Sequence, residues 1–516
     1  MSDICEKISK KKNIVFILSD DQGAWAMHCA GNDDIITPNL DRLSQMGSRF
    51  TNFFCASPVC SPARASIITG EMPSCHGVLD WIGSGNMNTK DYPYMKVHPH
   101  FQREDRAIEY LEGHDTYIKH LREAGYRCGL SGKWHLGNST QPKEGFEKWY
   151  TIAAGGCNYF NPDIYDHETG RFYNENRYVT DLITQKALEF LDEYMAGDAP
   201  YYLSVHYTAP HDPWYQGQHK EEIWKLYANC EFKATPNEKI YPNQIDCCLV
   251  ADTPEKRREH LTGYYAAITA MDDGIGQILD KLEENHQLEN AIVIFTSDNG
   301  MNMGHHGIWG KGNGTYPPNM YDTSVKVPFL IYDSEYFYGG KVIHRMAGHC
   351  DLFPTLLDMV GVTYNMHEKQ PGRSIKMYAE NPELEESDAV VICDEYGKVR
   401  MIRTSQFKYV CFYEDAGQQS VSEEDLKKYN IKEQFFDLTM DADEKVNRMS
   451  EIAYQQKIVE LRQRMEEFFS RYSDEINSGI QYPVTGSGQM KRCHQAEAFD
   501  QKFSYYYKTG DYSFGV

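Results

Sequence analysis

The sequence predicts an α/β fold: a large, mixed, mainly parallel sheet sandwiched by helices, with a smaller α+β region at the C-terminal end. Two observations carry this. Short apolar runs recur at Ile14 to Leu18, Arg127 to Leu130, Tyr201 to Tyr207, Ala291 to Thr296 and Val327 to Tyr332. Between them, Val179 to Met195 and Leu261 to Leu282 carry apolar residues at three-to-four spacing. Strands alternating with amphipathic helices build parallel sheets covered on both faces.

Taken in order, Ile14 to Leu18 follows a lysine-rich start but is too short for a secretory core and has no small-residue cleavage site after it, so it reads as the first strand. The stretch "FCASPVCSPARASIITGEMPSCHG" reads as a helix with Pro62 at its first position and Gly70 as its stop, which puts Cys60 at the helix mouth. Free N–H groups and the dipole favour an anion there. The acidic, proline-containing Ala379 to Asp388 reads as a linker, dividing the chain into 1–380 and 381–516. After it, Ala389 to Cys393, Val399 to Thr404, Lys408 to Tyr413 and Gln434 to Leu438 read as short antiparallel strands, then Ile452 to Phe469 as an amphipathic helix and Gln489 to Val516 as an irregular tail.

Bulk properties narrow the function. A chain of 516 residues exceeds one ordinary core. With 52 Lys and Arg against 75 Asp and Glu, the net charge of -23 argues against nucleic-acid binding, and an anionic ligand needs a local cationic pocket. Fourteen cysteines without a C-x-x-C pair suggest neither a zinc ribbon nor a disulfide framework. A reducing, cytoplasmic setting fits, and no stretch approaches 18 apolar residues, so no membrane span is expected.

The chemistry sits after the strands. "SDDQG" follows Ile14 to Leu18, "SGKWHLG" follows Arg127 to Leu130, "TAPHDPW" follows Tyr201 to Tyr207, and "SDNG" follows Ala291 to Thr296. In open α/β sheets, ligands bind outside the carboxyl ends of the strands. Asp20, Asp21, Asp298 and Asn299 offer hard oxygen ligands for calcium or magnesium. Each pair alone is ordinary turn chemistry, and two at strand ends are more telling. Adjacent Asp272 and Asp273 lie in a helical pattern and read as structural or solvated. Lys133, His135, His211 and Lys311 add donors and titratable groups, describing a pocket for a tetrahedral anion such as sulfate or phosphate.

The run Cys60 to Arg64, C-S-P-A-R, resembles the Cys-x-Pro-Ser/Ala-Arg signature of the formylglycine-dependent (type I) sulfatases of the alkaline phosphatase superfamily. The resemblance extends through "IVFILSDDQG", "TPNLDRLSQMGSRFTNFF", "GYRCGLSGKWHLG", "APHDPW", "IVIFTSDNGMNMGHHG" and "MIRTSQFKYV", to about Ser470. Two departures are Ala63, where Ser is commonest, and Asp322 in "YDTSVKVP", where Glu is usual. The resemblance implies an alkaline phosphatase-like fold and conversion of Cys60 to formylglycine by a maturation enzyme, with Pro62 and Arg64 as signal and support. It further implies that Asp20, Asp21, Asp298, Asn299 and residue 60 hold calcium, with magnesium the other candidate. One hydroxyl of the hydrated aldehyde then attacks sulfur, Lys133 and Lys311 hold sulfate oxygens, His211 protonates the departing alcohol, and His135 helps regenerate the aldehyde.

The implied activity is hydrolysis of a sulfate ester, of a small sulfated sugar. Phosphonate monoester or phosphodiester hydrolysis in the same superfamily is the alternative, because those esters also carry one negative charge. Segments 79–112 and 153–177 match nothing general and are expected to shape the substrate pocket, with Trp81, His98, His100, Arg103, Tyr159 and Trp214 in or beside them. Each of these singly also suits a structural role. The sequence leaves the oligomeric state open.

Overall fold

The computed structural model describes residues 11–97, 101–102, 104–174, 176–245, 248–381, 389–395, 398–413, 433–484 and 486–499. His98, His100, Arg103, most of the expected linker and the last part of the expected tail lie outside these residues. Among the described residues sixteen strands follow in chain order: β1 Asn13–Ser19, β2 Ser48–Phe54, β3 Arg127–Gly132, β4 Lys148–Ile152, β5 Asp163–Asp166, β6 Arg171–Asn174, β7 Tyr201–His206, β8 Ala291–Ser297, β9 Asn302–Met303, β10 Trp309–Gly310, β11 Phe329–Tyr332, β12 Lys341–Gly348, β13 Ala389–Asp394, β14 Val399–Thr404, β15 Phe407–Phe412 and β16 Gln434–Asp437.

Ten of them form one sheet in the order β12-β2-β11-β8-β1-β7-β3-β4-β5-β6. Its centre, β8-β1-β7-β3-β4, is parallel, while β11, β5 and β6 run antiparallel to their neighbours. The fully buried β1 shows why this layer is stable: Ile14, Phe16 and Leu18 enter one core and Val15 and Ile17 the other. Helices Val179–Met195 and Pro254–Glu284 pack on the second core, and Tyr117–Glu123 and Leu352–Met359 on the first. The expected α/β architecture is therefore present, with helices on both faces.

Two helix starts differ from the sequence reading. The motif helix is Cys60–Thr69, so it begins two residues before Pro62 and includes Cys60 in its first turn. Proline is tolerated throughout that turn, where its missing N–H costs no intrahelical bond. The long helix begins at Pro254 and not near Leu261, capped by the Thr253 side chain accepting from Lys256 N; its first turns are largely exposed, which hid their periodicity. Asp272 within it is buried and accepts from Asn39 N (2.9 Å) and Leu40 N (2.7 Å), capping helix Pro38–Met46 as a structural group.

Downstream, β13 to β16 form a four-stranded antiparallel sheet backed by helix Gln455–Tyr472. Their shared core includes Ile402, Phe435, Leu461 and Met465, and Ala56 and Met72 of the main body join it. The tail, described from Gln489 to Phe499, is irregular as expected, and it is tied at Gln489 to the loop Gly77 to Gly83. Gln489 is fully buried; its backbone pairs with Trp81 O (2.7 Å) and Gly83 N (3.0 Å), and its side chain bonds Leu79 N (2.9 Å) and Gly77 O (3.0 Å). No helix among the described residues is long and apolar enough to cross a membrane.

Candidate active site

Four neighbouring parallel strands, β8, β1, β7 and β3, end side by side. The residues after them converge with the first turn of helix Cys60–Thr69 and the loop holding Lys311. Close approach is built into the backbone: a Cβ on Gly132, at φ +119°, would lie 1.9 Å from His206 O, so only glycine lets β3 turn out toward Lys133. Asp21 and His135 adopt left-handed conformations at φ 64° and 55°. Asp21 is held there by its N–H on Asp298 Oδ1 (3.1 Å) and its carbonyl accepting from Tyr264 Oη (2.9 Å).

Three carboxylates interleave with three cations. Lys133 Nζ is 2.5 Å from Asp20 Oδ2, Arg64 Nε is 2.8 Å from Asp298 Oδ2, and Lys311 Nζ is 2.6 Å from Asp21 Oδ1. Arg64 also donates to Lys133 O (2.9 Å), linking the motif helix to the exit of β3. Lys311 Nζ lies 2.7 Å from Cys60 Sγ, and Asn299 Nδ2 donates to Asp21 Oδ1 (2.8 Å). His211 Nδ1 sits 2.8 Å from Asp212 Oδ1, which leaves Nε2 turned to Asp21 Oδ2 at 3.7 Å. His135 Nε2 lies 3.2 Å from Ile82 O.

The titration behaviour follows from burial and charge. Burial, with Asp298 adding to it, raises the Asp20 carboxyl to about 6. Asp298 goes the other way, because Arg64, Lys133 and Lys311 outweigh its own burial penalty and hold it below the carboxylate range. Burial drives the Cys60 thiol up to about 12 despite Lys133 and Lys311. Burial and the adjacent Lys133 and Arg64 push His135 well below 6.5, whereas Asp21, Asp212 and Asp20 overcome burial at His211 and raise it to about 9. Environment thus separates one neutral imidazole from one that holds its proton.

The donor set fits a hard cation. Asp20, Asp21 and Asp298 present oxygens within 4.8 Å of one another. Asp20 Oδ1 and Asn299 Oδ1 are buried with no hydrogen-bond partner. Buried oxygens in that state are costly unless something positive satisfies them. Asp20, Cys60 and His211 also form a group that could ligate, yet Cys60 Sγ already faces Lys311 Nζ.

All ten site residues named from the sequence, Asp20, Asp21, Cys60, Arg64, Lys133, His135, His211, Asp298, Asn299 and Lys311, thus gather at the strand ends or on their supports. The pocket-shaping residues fare differently. Tyr159 is buried and donates to His211 O (2.8 Å), Trp214 Nε1 donates to Pro210 O (2.8 Å), and Trp81 Nε1 donates to Gly486 O (2.9 Å), so all three are fixed in the framework. Sequence reasoning missed His206 on β7, which accepts from or donates to Ser204 Oγ (2.7 Å) beneath Lys133. It also missed the buried Asn302, Ser324 and Asn319 linkage, in which Asn319 Nδ2 donates to Lys311 O (3.1 Å). Asn302 could have been suspected from its place three residues after Asn299; Ser324 and Asn319 carry no local signal.

The model of the family described as Sulfatase matches residues 12–362. The chain belongs to the sulfatase family. It is a sulfuric ester hydrolase with the fold of the alkaline phosphatase superfamily. This sulfatase is 27% identical to the N-acetylglucosamine-6-O-sulfatase of Bacteroides thetaiotaomicron, over 90% of this chain and 88% of that protein. Its fold is similar to a protein solved in complex with its substrate D-glucosamine-2-N,6-O-disulfate, with a TM-score of 0.72, 24% identity and coverage of 91% and 99% of the two chains. It is also similar in fold to the phosphonate monoester hydrolase of Agrobacterium radiobacter, with a TM-score of 0.62, 19% identity and coverage of 90% and 96%.

Proposed function

We propose that this sulfatase removes sulfate from a small sulfated carbohydrate, using residue 60 as formylglycine and a calcium ion, or magnesium, held by Asp20, Asp21, Asp298 and Asn299. The observation that carries the reading is the place of Cys60. It stands in the first turn of its helix, 2.7 Å from Lys311 Nζ and grouped with Asp20 and His211. The C-S-P-A-R run that begins there matches the signature at which the family converts its cysteine. The hydrated aldehyde would supply an oxygen nucleophile, and the cation would supply charge stabilisation at the developing anion.

This chain's own residues do the rest. Three carboxylates and three cations cancel, so a divalent cation would leave the site net positive and able to attract a singly charged ester. Lys133 and Lys311 turn from their carboxylates to the sulfate oxygens, while Arg64 holds Asp298 and the Lys133 carbonyl in register. His211, oriented through Nδ1 by Asp212, keeps a proton on Nε2 for the departing alcohol oxygen. His135, kept neutral by burial, is the group able to receive a proton. The substrate class draws support from the relative named for N-acetylglucosamine 6-sulfate and from the disulfated glucosamine bound to the structural neighbour.

Mass analysis of the peptide spanning residue 60 in active protein should show formylglycine or its hydrate; fully active protein with only free thiol would overturn the nucleophile. In parallel, a 6-O-sulfated hexosamine should be cleaved with higher kcat/KM than a phosphonate monoester. The reverse order would favour the phosphonate hydrolase reading.

A further inference from the structure

The His135 ring is aimed by two neighbours. Its Nε2 lies 3.2 Å from Ile82 O. A carbonyl only accepts, so Nε2 carries the proton of the neutral ring and Nδ1 keeps the lone pair. Nδ1 is buried and meets no hydrogen-bond partner among the described residues. Gly155 packs against the same ring: a Cβ there would stand 2.2 Å from Nε2 and 2.3 Å from Cε1, so any larger residue would displace the imidazole. Lys133, Arg64 and Lys311 act on the ring electrostatically, and Lys311 is the cation beside Cys60.

Ile82 is in turn held by residues remote in the chain. Its N–H donates to Ser61 Oγ (3.1 Å), in the helix that begins with Cys60. The residues flanking it are fastened to the fully buried Gln489. Gln489 N donates to Trp81 O (2.7 Å), and Gln489 O accepts from Gly83 N (3.0 Å). The side chain adds two more bonds, with Oε1 accepting from Leu79 N (2.9 Å) and Nε2 donating to Gly77 O (3.0 Å). The Tyr110 hydroxyl lies 3.1 Å from Gln489 O and 2.9 Å from Ser84 O, which ties the same point to the residue after the loop. A loop fastened at Gly77, Leu79, Trp81 and Gly83 leaves the Ile82 carbonyl little room to swing.

We propose that Gln489 is a positioning residue for the hydrolysis: by clamping the loop Gly77 to Gly83 it holds Ile82 O against His135 Nε2, which fixes the tautomer and the direction of the ring. The inference rests on the reading of His135 as the proton acceptor and adds what aims it. With Ile82 O withdrawn, the proton can pass to Nδ1 or the ring can turn, and in either case the lone pair no longer stands where the reaction needs it. A misplacement of about 1 Å at a reacting group costs up to about 10²-fold.

The test is a set of double-mutant cycles read in kcat on one sulfate ester. Gln489→Met, which keeps the length of the side chain and removes its hydrogen bonds, should lower kcat by about tenfold. Gly155→Ala, which touches the ring and leaves the clamp alone, should lower it by at least as much. In a His135→Gln background, neither change should add more than about a twofold loss. Tyr110→Phe, the deletion of a single hydroxyl, should show the same pattern at smaller size. Nitrogen NMR of histidine-labelled protein, with the His135 signals identified by their disappearance in His135→Gln, should show Nε2–H in the parent and a mixture of tautomers in Gln489→Met. A Gln489→Met loss of the same size with and without His135 would mean that Gln489 acts through the fold at large, and would overturn the proposal. So would an unchanged kcat in Gln489→Met, or an Nδ1–H ring in the parent. A His135→Gln protein with parental turnover would instead overturn His135 as the proton acceptor, and the clamp with it.

Discussion

Two buried clusters of carboxylates and cations in this molecule use the same residue types and end differently. At the seam between the main sheet and the four-stranded sheet, Lys408 Nζ lies 2.6 Å from Asp322 Oδ1, pairs with Glu444 Oε1 and donates to Met320 O (2.9 Å). Arg403 takes Asp322 Oδ2 at 3.0 Å, and Asp322 N donates to Glu444 Oε2 at 2.6 Å. Each carboxylate oxygen there lies within 3.0 Å of a cation or donor, with Asp322 Oδ1 and Glu444 Oε1 meeting the Lys408 charge and making no directed hydrogen bond. At the strand ends, Asp20 Oδ1 comes no nearer to Arg64 than 3.8 Å and Asn299 Oδ1 meets nothing. Burial and charge alone therefore do not separate the two clusters; the difference is that at the strand ends a carboxylate oxygen stands clear of every cation by more than 3.5 Å, whereas at the seam each lies against one or against a donor.

The comparison can be broken most directly at its open end. Cys60→Ala should reduce turnover to background while thermal unfolding still shows a cooperative fold, and Cys55→Ala should be mild. Chelation should likewise abolish activity, and calcium or magnesium should restore it. Restoration by zinc alone would mean that the open cluster is built for softer ligands.

The next effect separates groups within that cluster. His211→Ala should lose about 10²–10⁴-fold on a sulfated sugar, whose alkoxide needs a proton to leave, and distinctly less on an activated aryl sulfate. Lys133→Ala should harm both substrates. Equal losses on the two substrates for the His211 variant would make it a sulfate-positioning residue and turn attention to His135.

The closed cluster should answer in the opposite currency. Lys408→Met leaves two buried carboxylates facing each other, and breaking such a pair costs about 3–5 kcal/mol. Urea unfolding should show that loss, with activity per folded molecule retained. Activity lost in parallel with stability would mean that the seam also governs the reaction centre.

A smaller effect comes from His206, beneath the open cluster. Burial lowers it from 6.5 to about 3, so its neutral form contributes stability that is complete above about pH 6.5 and is lost as pH falls toward 3. His206→Gln should make stability fall less steeply between about pH 6 and 4, by up to about 1.4 kcal/mol per pH unit. Identical slopes in the two proteins would show that His206 takes up a proton in the folded state.

What could be read from the sequence follows the same physics. The strand-end residues were legible because each polar run interrupts an apolar one at the point where a parallel strand must end. β12 was not, since Lys341 and Val342 are exposed and Ile343 only half-buried, so no period survives. β6 has no fully buried residue at all. Trp81, Tyr159 and Trp214 are framework residues because an indole N–H or phenol O–H in the interior seeks a carbonyl, and each found one nearby. The Gly486 to Gln489 segment is held largely by partners some 400 positions away, such as Leu79 for Gln489, and short glycine-containing stretches carry no period from which to infer them.

Cys60 is 3% exposed, and all the residues from Ser61 to Thr69 are buried in one helix. Ser61 Oγ accepts from Ile82 N (3.1 Å), in the loop that Gln489 secures. A modifying enzyme must draw a side chain and its neighbours into a cleft of its own, and the finished molecule leaves it nothing to grasp. Global opening of a typical domain costs about 5–15 kcal/mol, so later access is rare. If residue 60 is converted as proposed, conversion belongs to the interval before this region closes. On that reading a molecule that folds first keeps its thiol, and the proportion of competent enzyme would be set once, by a race between two rates at the time of synthesis.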